Sequence, residues 1–246
     1  MNSKIIRPKA ILFDLDDTIS SYDSVCAPAW RKCCEDFVYK YGVNFSTEKL
    51  IDVINETRVW YWADPVRHKA GRENLIPSRR DVVRYSLKEL SILDEEMVCE
   101  LADNYTNMHN AMISLLPGAK EALEMVRDMG IRMAVITNGG SKIQRDKLER
   151  FEIISYFEKV FIDAEIGFSK PDKEIFQYAL DQLQLKPEEV WMVGDNLVWD
   201  IFGAKQMGIY AVWNDFGKKG LPKDSTIIPD LIVASIYEIV EIIRNK

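Results

Sequence analysis

The nine residues AILFDLDDT, from Ala10 to Thr18, place three carboxylates directly after a short apolar run. The apolar run predicts a buried strand, and Asp14 and Asp16 stand two residues apart at its end, where alternate side chains point to the same side. Two carboxylates in one small volume repel each other and favour a hard divalent cation between them. Taken alone, the same pattern also fits an acidic turn that follows a strand.

Composition limits the classes of protein to which the chain can belong. It has 246 residues, 47% apolar and 29% charged, and no apolar run approaches the roughly 18 residues of a membrane helix. A net charge of −7 argues against a nucleic-acid surface, which requires a basic face. The four cysteines lack CxxC spacing, and the brief apolar stretch before Asp14 does not fit a secretory signal. We therefore expect a cytoplasmic protein without membrane or nucleic-acid partners, and the sequence leaves its oligomeric state open.

The second half alternates strand and helix patterns, as in a parallel α/β sheet. Apolar runs predict strands at 131–137, 159–164, 190–196, 209–213 and 231–234. Helical patterns lie between them, at 120–129, 142–151, 172–185 and 198–207, with a last one after 234. Asp172 stands where it would cap one helix, and Ser235 with Glu238 has the spacing of a capping box.

Residues 22–114 show helical periodicity without a convincing buried strand, which predicts an inserted helical module. Within it, the polar segment HKAGRENLIPSRR, residues 68–80, predicts a loop. The expected fold is α/β, a Rossmann-like parallel-sheet core of residues 1–19 and 117–246 with an all-helical cap domain of residues 20–116.

Polar side chains follow four of the predicted strands. Ligands of open α/β sheets bind outside the carboxyl ends of the strands, so these side chains are candidates for one shared site. They are Asp14 and Asp16 after the first strand, Thr137 and Asn138 after the second, Lys170 after the third, and Asp195 with Asp200 after the fourth.

Taken together, these segments read D-x-D-x-T, T-N-G, a lysine before proline, and G-D-x-x-x-x-D. The set resembles the four motifs of the haloacid dehalogenase superfamily, in the same order, with the helical insert where subfamily I carries a helical C1-type cap. The family's dehalogenases lack an acid at the position of Asp16, and Thr18 agrees with the phosphatase form of the motif. The resemblance therefore implies the phosphatase branch.

The resemblance implies roles for the first two aspartates. Asp14 is expected to be the nucleophile that forms an aspartyl-phosphate, which divides hydrolysis into two easier steps. Asp16 is expected to protonate the leaving oxygen and then to activate water as a base.

The other candidates are expected to hold phosphate and a metal ion. Thr137, Asn138 and Lys170 are the predicted phosphate-binding residues, and Asp200 is predicted to orient Asp195 or Lys170. An all-oxygen ligand set predicts Mg²⁺. Its expected ligands are Asp14, Asp16 through its backbone carbonyl, and Asp195. In isolation, Lys170 also fits an exposed surface lysine and Asp200 a solvated helical residue.

The predicted function is a magnesium-dependent phosphomonoester hydrolase that acts on a small phosphorylated metabolite of sugar-phosphate or nucleotide type. A phosphomutase would use the same aspartyl-phosphate but return the phosphoryl group to the bound sugar, and a non-catalytic binding protein would keep only the fold. Several aromatic and basic side chains of the insert fit either substrate contacts or the insert's own core and solvated face. These are Trp60, Tyr61, Trp62, Arg67, Arg79, Arg80 and Arg84.

Overall fold

The computed structural model describes residues 6–245, so residues 1–5 and 246, the ends of the expected core, lie outside the described residues. The chain forms two compact units. One contains the residues up to Ser21 and from Ser114 onward, and the other contains Tyr22–Ile113.

The first unit is built on a six-stranded parallel sheet, which confirms the predicted α/β class. Its strands are β1 (Ala10–Phe13), β2 (Arg132–Thr137), β3 (Lys159–Ile162), β4 (Val190–Gly194), β5 (Tyr210–Asn214) and β6 (Leu231–Val233). Their order in the sheet is β3-β2-β1-β4-β5-β6. β1 lies between β2 and β4, with Phe13 paired to Val135 on one side and to Val193 on the other. The strand order therefore reverses at β1, and its carboxyl end is the topological switch point where such sheets bind ligands.

The helices of the second unit are α1 (Asp23–Tyr41), α2 (Thr47–Trp62), α3 (Pro65–Glu73), α4 (Leu75–Glu89) and α5 (Glu95–Met112). Those of the first unit are α6 (Ala119–Asp128), α7 (Ser141–Arg150), α8 (Asp163–Ile166), α9 (Lys173–Leu183), α10 (Gly203–Lys205) and α11 (Ile236–Arg244). Single 3₁₀ turns lie at Ile154–Tyr156 and Pro187–Glu189, and Leu197–Phe202 is π-helical.

The sheet is buried on both faces. Alternate residues of β1 point to opposite faces, so Ile11 and Phe13 pack with α6 and α11 while Ala10 and Leu12 pack with α9. Because both faces are covered, the strands appear in the sequence as continuous apolar runs, which made them predictable.

The helical unit has its own apolar core, in which the rings of Trp30 and Tyr105 stack with centroids 3.7 Å apart. Other members of this core are Phe37, Leu50, Ile54, Val83, Leu87 and Leu101. Across residues 6–245, none of the helices combines the length and the apolar character that crossing a bilayer requires.

The predicted loop at 68–80 is wrong, because α3 and α4 cover this segment and meet at Asn74. Asp64 caps α3 by accepting a hydrogen bond from the Arg67 N–H at 2.8 Å. Gly71, a residue that disfavours helices, lies where a Cβ atom would come within 2.4 Å of the Trp62 ring. Close packing therefore accounts for this glycine inside a helix.

Two capping predictions also need correction. Asp172 and Ser235 occupy the predicted N-cap positions, but neither side chain makes a capping hydrogen bond. The Glu238 carboxylate accepts instead from the Ala234 N–H at 3.1 Å. The helix predicted at 198–207 is a π-helical segment that continues into the short α10.

Candidate active site

A buried lysine joins two carboxylates at the carboxyl end of the sheet. Asp14 follows β1, and its N–H donates to the Val193 carbonyl of the neighbouring strand at 2.9 Å. The Lys170 Nζ lies 2.5 Å from Asp14 Oδ1 and 2.6 Å from Asp200 Oδ1. All three side chains are buried, with Lys170 only 2% exposed, so the alternatives of a surface lysine and a solvated Asp200 do not hold.

Asp195 follows β4 and brings a third carboxylate to this end of the sheet. One carboxylate oxygen from each of Asp14, Asp195 and Asp200 lies within 4.8 Å of the others. The Trp213 indole N–H donates to the Asp195 carbonyl at 2.6 Å, which fixes the backbone there. Asp14, which is distant in sequence from the other two, therefore shares one small volume with Asp195 and Asp200.

In this cluster, three carboxylates are accompanied by one lysine, Lys170. Burial is the main cause that raises the pKa of Asp14 to about 7. Attraction to Lys170 lowers this pKa, and repulsion from Asp200 raises it. Burial, followed by repulsion from Asp14 and Asp200, raises the pKa of Asp195 to about 9. Burial alone would lower the pKa of Lys170, but the adjacent Asp14 and Asp200 carboxylates raise it above its ordinary value.

This donor set fits a hard divalent cation. Carboxylate oxygens are the ligands that Mg²⁺ prefers, and one lysine does not balance three carboxylates. Both oxygens of Asp200 are already engaged, one by Lys170 and the other by the Asn196 N–H at 2.9 Å. Asp14 and Asp195 therefore remain as the side chains best able to accept a cation.

Gly194, the last residue of β4, makes room for Asp200. A Cβ atom at position 194 would lie 2.3 Å from the Asp200 carboxyl carbon. Asn196 caps the π-helical segment that carries Asp200, since its side chain accepts from the Val198 and Trp199 N–H groups. The G-D-x-x-x-x-D pattern thus contains a steric requirement as well as two acids.

The structure brings Asn138 to Lys170. The Asn138 Nδ2 donates to the Lys170 carbonyl oxygen, and Oδ1 accepts from the Lys170 N–H, both at 2.9 Å. Because both ends of the amide are used in this way, the side chain holds the backbone that carries the lysine. The Asn138 side chain is therefore engaged, and its backbone N–H is the group that we still expect to contact phosphate.

Asp16 belongs to a separate hydrogen-bond network, although we expected its carboxylate to share one volume with that of Asp14. Lys147 Nζ lies 2.6 Å from Asp16 Oδ1 and 2.8 Å from Oδ2. Gln144 Nε2 donates to Asp16 Oδ2 at 3.1 Å and to Thr137 Oγ1 at 2.9 Å. Among the described residues, the carboxylates that lie within 4.8 Å of one another are those of Asp14, Asp195 and Asp200. The metal contact predicted for Asp16 is its backbone carbonyl, which stays a prediction.

Three polar residues in these networks were not predicted from the sequence. Gln144 and Lys147 occupy the inward positions of α7 together with Leu148, and a polar pair at such positions was an available signal. Asp163 accepts a hydrogen bond from the Gly139 N–H at 2.7 Å, which fixes the turn after Asn138. Asp163 falls within the strand predicted at 159–164, but it begins α8.

Three arginines of the helical unit have partners inside that unit. Arg67 lies over the Trp60 ring, 4.2 Å from its centroid, and donates to the backbone carbonyls of Trp60 and Tyr61. Arg80 pairs with both oxygens of Asp103, and Arg84 pairs with Asp81 and Glu95.

Arg79 differs from these three because it is buried. Its guanidinium lies 5.1 Å from the centroid of the Tyr105 ring and 3.5 Å from the Tyr22 hydroxyl. Tyr61 is buried and donates to Asp81 at 3.2 Å, while Trp60 is half exposed and the Trp62 ring contacts His68.

Comparison with known proteins places the chain among relatives of one family. Residues 11–213 match the family model described as haloacid dehalogenase-like hydrolase. The chain is 33% identical to a phosphoserine phosphatase of Thermus thermophilus, over 94% of this chain and 97% of the relative. It is 32% identical to a glyceraldehyde 3-phosphate phosphatase of Pyrococcus abyssi, over 85% of this chain and 82% of the relative.

A solved structure has the same fold. The HAD-hydrolase YfnB of Bacillus subtilis, in an orthorhombic form bound to magnesium, matches 97% of this chain and 99% of its own, with a TM-score of 0.74 and 23% identity.

Proposed function

Because this chain belongs to the haloacid dehalogenase-like hydrolase family, and to its phosphatase branch, we propose that it is a magnesium-dependent phosphomonoester hydrolase. Its substrate is a small phosphorylated metabolite of sugar-phosphate or nucleotide type. The named phosphatase relatives support hydrolysis of small phosphate esters. We propose a cytoplasmic location, which four cysteines without CxxC spacing support.

In the first half-reaction, a carboxylate oxygen of Asp14 attacks phosphorus while the bond from phosphorus to the leaving oxygen breaks. Asp16 donates a proton to that oxygen, so the product leaves as an alcohol. Lys170 neutralises charge on the transferring group, and Thr137 with the backbone N–H of Asn138 binds its oxygens.

In the second half-reaction, water attacks the phosphorus of the aspartyl-phosphate, and the bond between phosphorus and Asp14 breaks. Asp16 now accepts the proton of the water, which returns both aspartates to their starting states. Free phosphate is the product.

Mg²⁺ would be held by Asp14, Asp195 and the backbone carbonyl of Asp16, and when bound it supplies charge that offsets repulsion between the nucleophile and the anionic phosphate. Asp200 would act through Lys170, since the two side chains are 2.6 Å apart. Asp200 thereby keeps the lysine aligned with the nucleophile.

The single observation that supports this proposal best is the buried contact of Asp14 with Lys170 beside Asp195 and Asp200, at the switch point of the sheet. A carboxylate nucleophile, a cation for the phosphate and an acidic metal site are the parts that phosphoryl transfer requires.

The test is release of free phosphate by purified protein with MgCl₂, measured on a panel of sugar phosphates, nucleotides, phosphoserine and 4-nitrophenyl phosphate. Asp14→Asn is the matched control, because it keeps the shape of the side chain and removes the nucleophile. We expect phosphate from the wild type and none from the variant. An isomerised sugar phosphate without free phosphate, or no turnover of any ester, would contradict the proposal.

A further inference from the structure

A buried lysine outside the four sequence motifs, Lys147, contacts the Asp16 carboxylate. Lys147 Nζ lies within 2.8 Å of both carboxylate oxygens. The Lys147 side chain is 6% exposed and that of Asp16 is 23% exposed. The Lys147 ammonium therefore contacts the Asp16 carboxylate from the protein interior, and part of the Asp16 side chain remains exposed to solvent.

Gln144 connects this ion pair to the end of β2. Its Nε2 donates to Asp16 Oδ2 at 3.1 Å, to Thr137 Oγ1 at 2.9 Å and to the Asn138 carbonyl at 3.0 Å. Gln144 is buried, and the turn at Gly139 adapts to it, since a Cβ at 139 would lie 3.0 Å from Nε2. Asp16 is thus tied through one amide to the predicted phosphate-binding turn.

Stability alone explains this arrangement poorly. Burying an ammonium group costs free energy that a single ion pair often fails to recover, and apolar replacements at such sites are frequently neutral or stabilising. Lys142 in the same helix shows the ordinary arrangement, an exposed lysine paired with Asp146 four residues away. The Lys147 side chain instead points inward, and its ammonium contacts Asp16, the proposed acid and base.

We propose that Lys147 and Gln144 are positioning residues that hold Asp16 for the second half-reaction, in which it accepts a proton from water; this inference rests on the proposed function. In that step, the oxygen of water bonds to phosphorus, the bond from phosphorus to Asp14 breaks, and the released proton moves to Asp16. The Lys147 ammonium contacts both oxygens of the Asp16 carboxylate and so restrains its position. Gln144 fixes the rotation of the same carboxylate.

The two half-reactions can be timed separately with 4-nitrophenyl phosphate and MgCl₂ in a stopped-flow experiment. Nitrophenolate is a good leaving group that needs little help from an acid, so its burst reports formation of the aspartyl-phosphate. The steady rate then reports hydrolysis of this intermediate. In Lys147→Met, we expect the steady rate to fall by about 10- to 100-fold, as for other residues that orient a reacting group. We expect the burst rate to stay within about threefold of wild type, with one nitrophenolate per enzyme molecule.

Three further variants make the result specific. Lys147→Arg keeps the charge and should restore most of the steady rate. Gln144→Leu should slow the steady rate more than the burst, and it tests the same inference if Lys147→Met does not fold. Lys142→Met changes an exposed lysine of the same helix and should leave both phases unchanged.

Equal loss of burst and steady rate in both Lys147→Met and Gln144→Leu, or no loss in either phase, would overturn the inference. Those outcomes leave wild-type turnover intact, so they do not bear on the proposed function. A wild-type protein that releases neither nitrophenolate nor phosphate would overturn both.

Discussion

The side-chain amide of Asn138 holds the backbone of Lys170 from both sides, donating to its carbonyl oxygen and accepting from its N–H at 2.9 Å each. Thirty-two positions separate the two residues, and the pair joins the turn after β2 to the segment before α9. The position of the Lys170 ammonium therefore depends on a residue that does not touch it. Asn138 is best described as acting through the lysine.

This relationship predicts that Asn138→Leu lowers kcat/KM for phosphomonoesters by about 10- to 100-fold, because outer partners of a reacting group have effects of this size. Asn138→Asp keeps the acceptor for the Lys170 N–H and should lose less. Steady-state kinetics on both variants checks this, with the exposed Asn55→Leu as control. Wild-type kinetics in Asn138→Leu would contradict the role.

Gly194→Ala should displace Asp200. The added methyl group would lie 2.3 Å from the Asp200 carboxyl carbon, so the side chain or the strand end must move. We expect the free energy of unfolding to fall by about 1–3 kcal/mol, as for overpacked cores. Lys170 should lose its alignment, so kcat/KM should fall as well. Gly217→Ala is the control, since the atoms nearest a Cβ at that position belong to the exposed Lys219 side chain. Equal denaturation midpoints and activities in both variants would contradict the steric argument.

The raised pKa values of Asp14, about 7, and Asp195, about 9, predict how pH affects the metal-free protein. In the unfolded chain these groups titrate near the ordinary value of about 3.9. The folded state therefore binds more protons between these values, and its free energy of unfolding falls as the pH rises through the window.

Because Mg²⁺ competes with these protons, the gain in Tm on adding MgCl₂ to EDTA-treated protein should be larger at about pH 8 than at about pH 5.5. Thermal unfolding at several pH values measures it. Asp195→Asn should reduce the gain at the higher pH. A gain that is independent of pH, or larger in acid, would show that these carboxylates do not hold the ion.

The sheet was predictable because its strands are buried on both faces and appear as unbroken apolar runs, such as Met133 to Ile136. The segments that carry Asp14, Lys170, Asp195 and Asp200 were expected to converge because parallel strands end at the same edge of the sheet. The roles of Lys170 and Asp200 needed the family resemblance as well. The contact between Asp16 and Lys147 did not, because it joins residues 131 positions apart and depends on which side of α7 faces inward. Gly71 favoured the wrong prediction of a loop at 68–80, because glycine disfavours helices. In the structure this glycine lies in a helix and allows close packing against Trp62.

The central claim is that Asp14 carries the phosphoryl group during turnover. The most direct measurement is a rapid acid quench of the enzyme during turnover of 4-nitrophenyl phosphate with MgCl₂, followed by borohydride reduction and peptide mass spectrometry. An aspartyl-phosphate is reduced to homoserine, whereas a free carboxylate is not. We predict homoserine at position 14 only when substrate is present. Homoserine at position 16 or 195 instead, or none at any aspartate while phosphate is being released, would contradict the account.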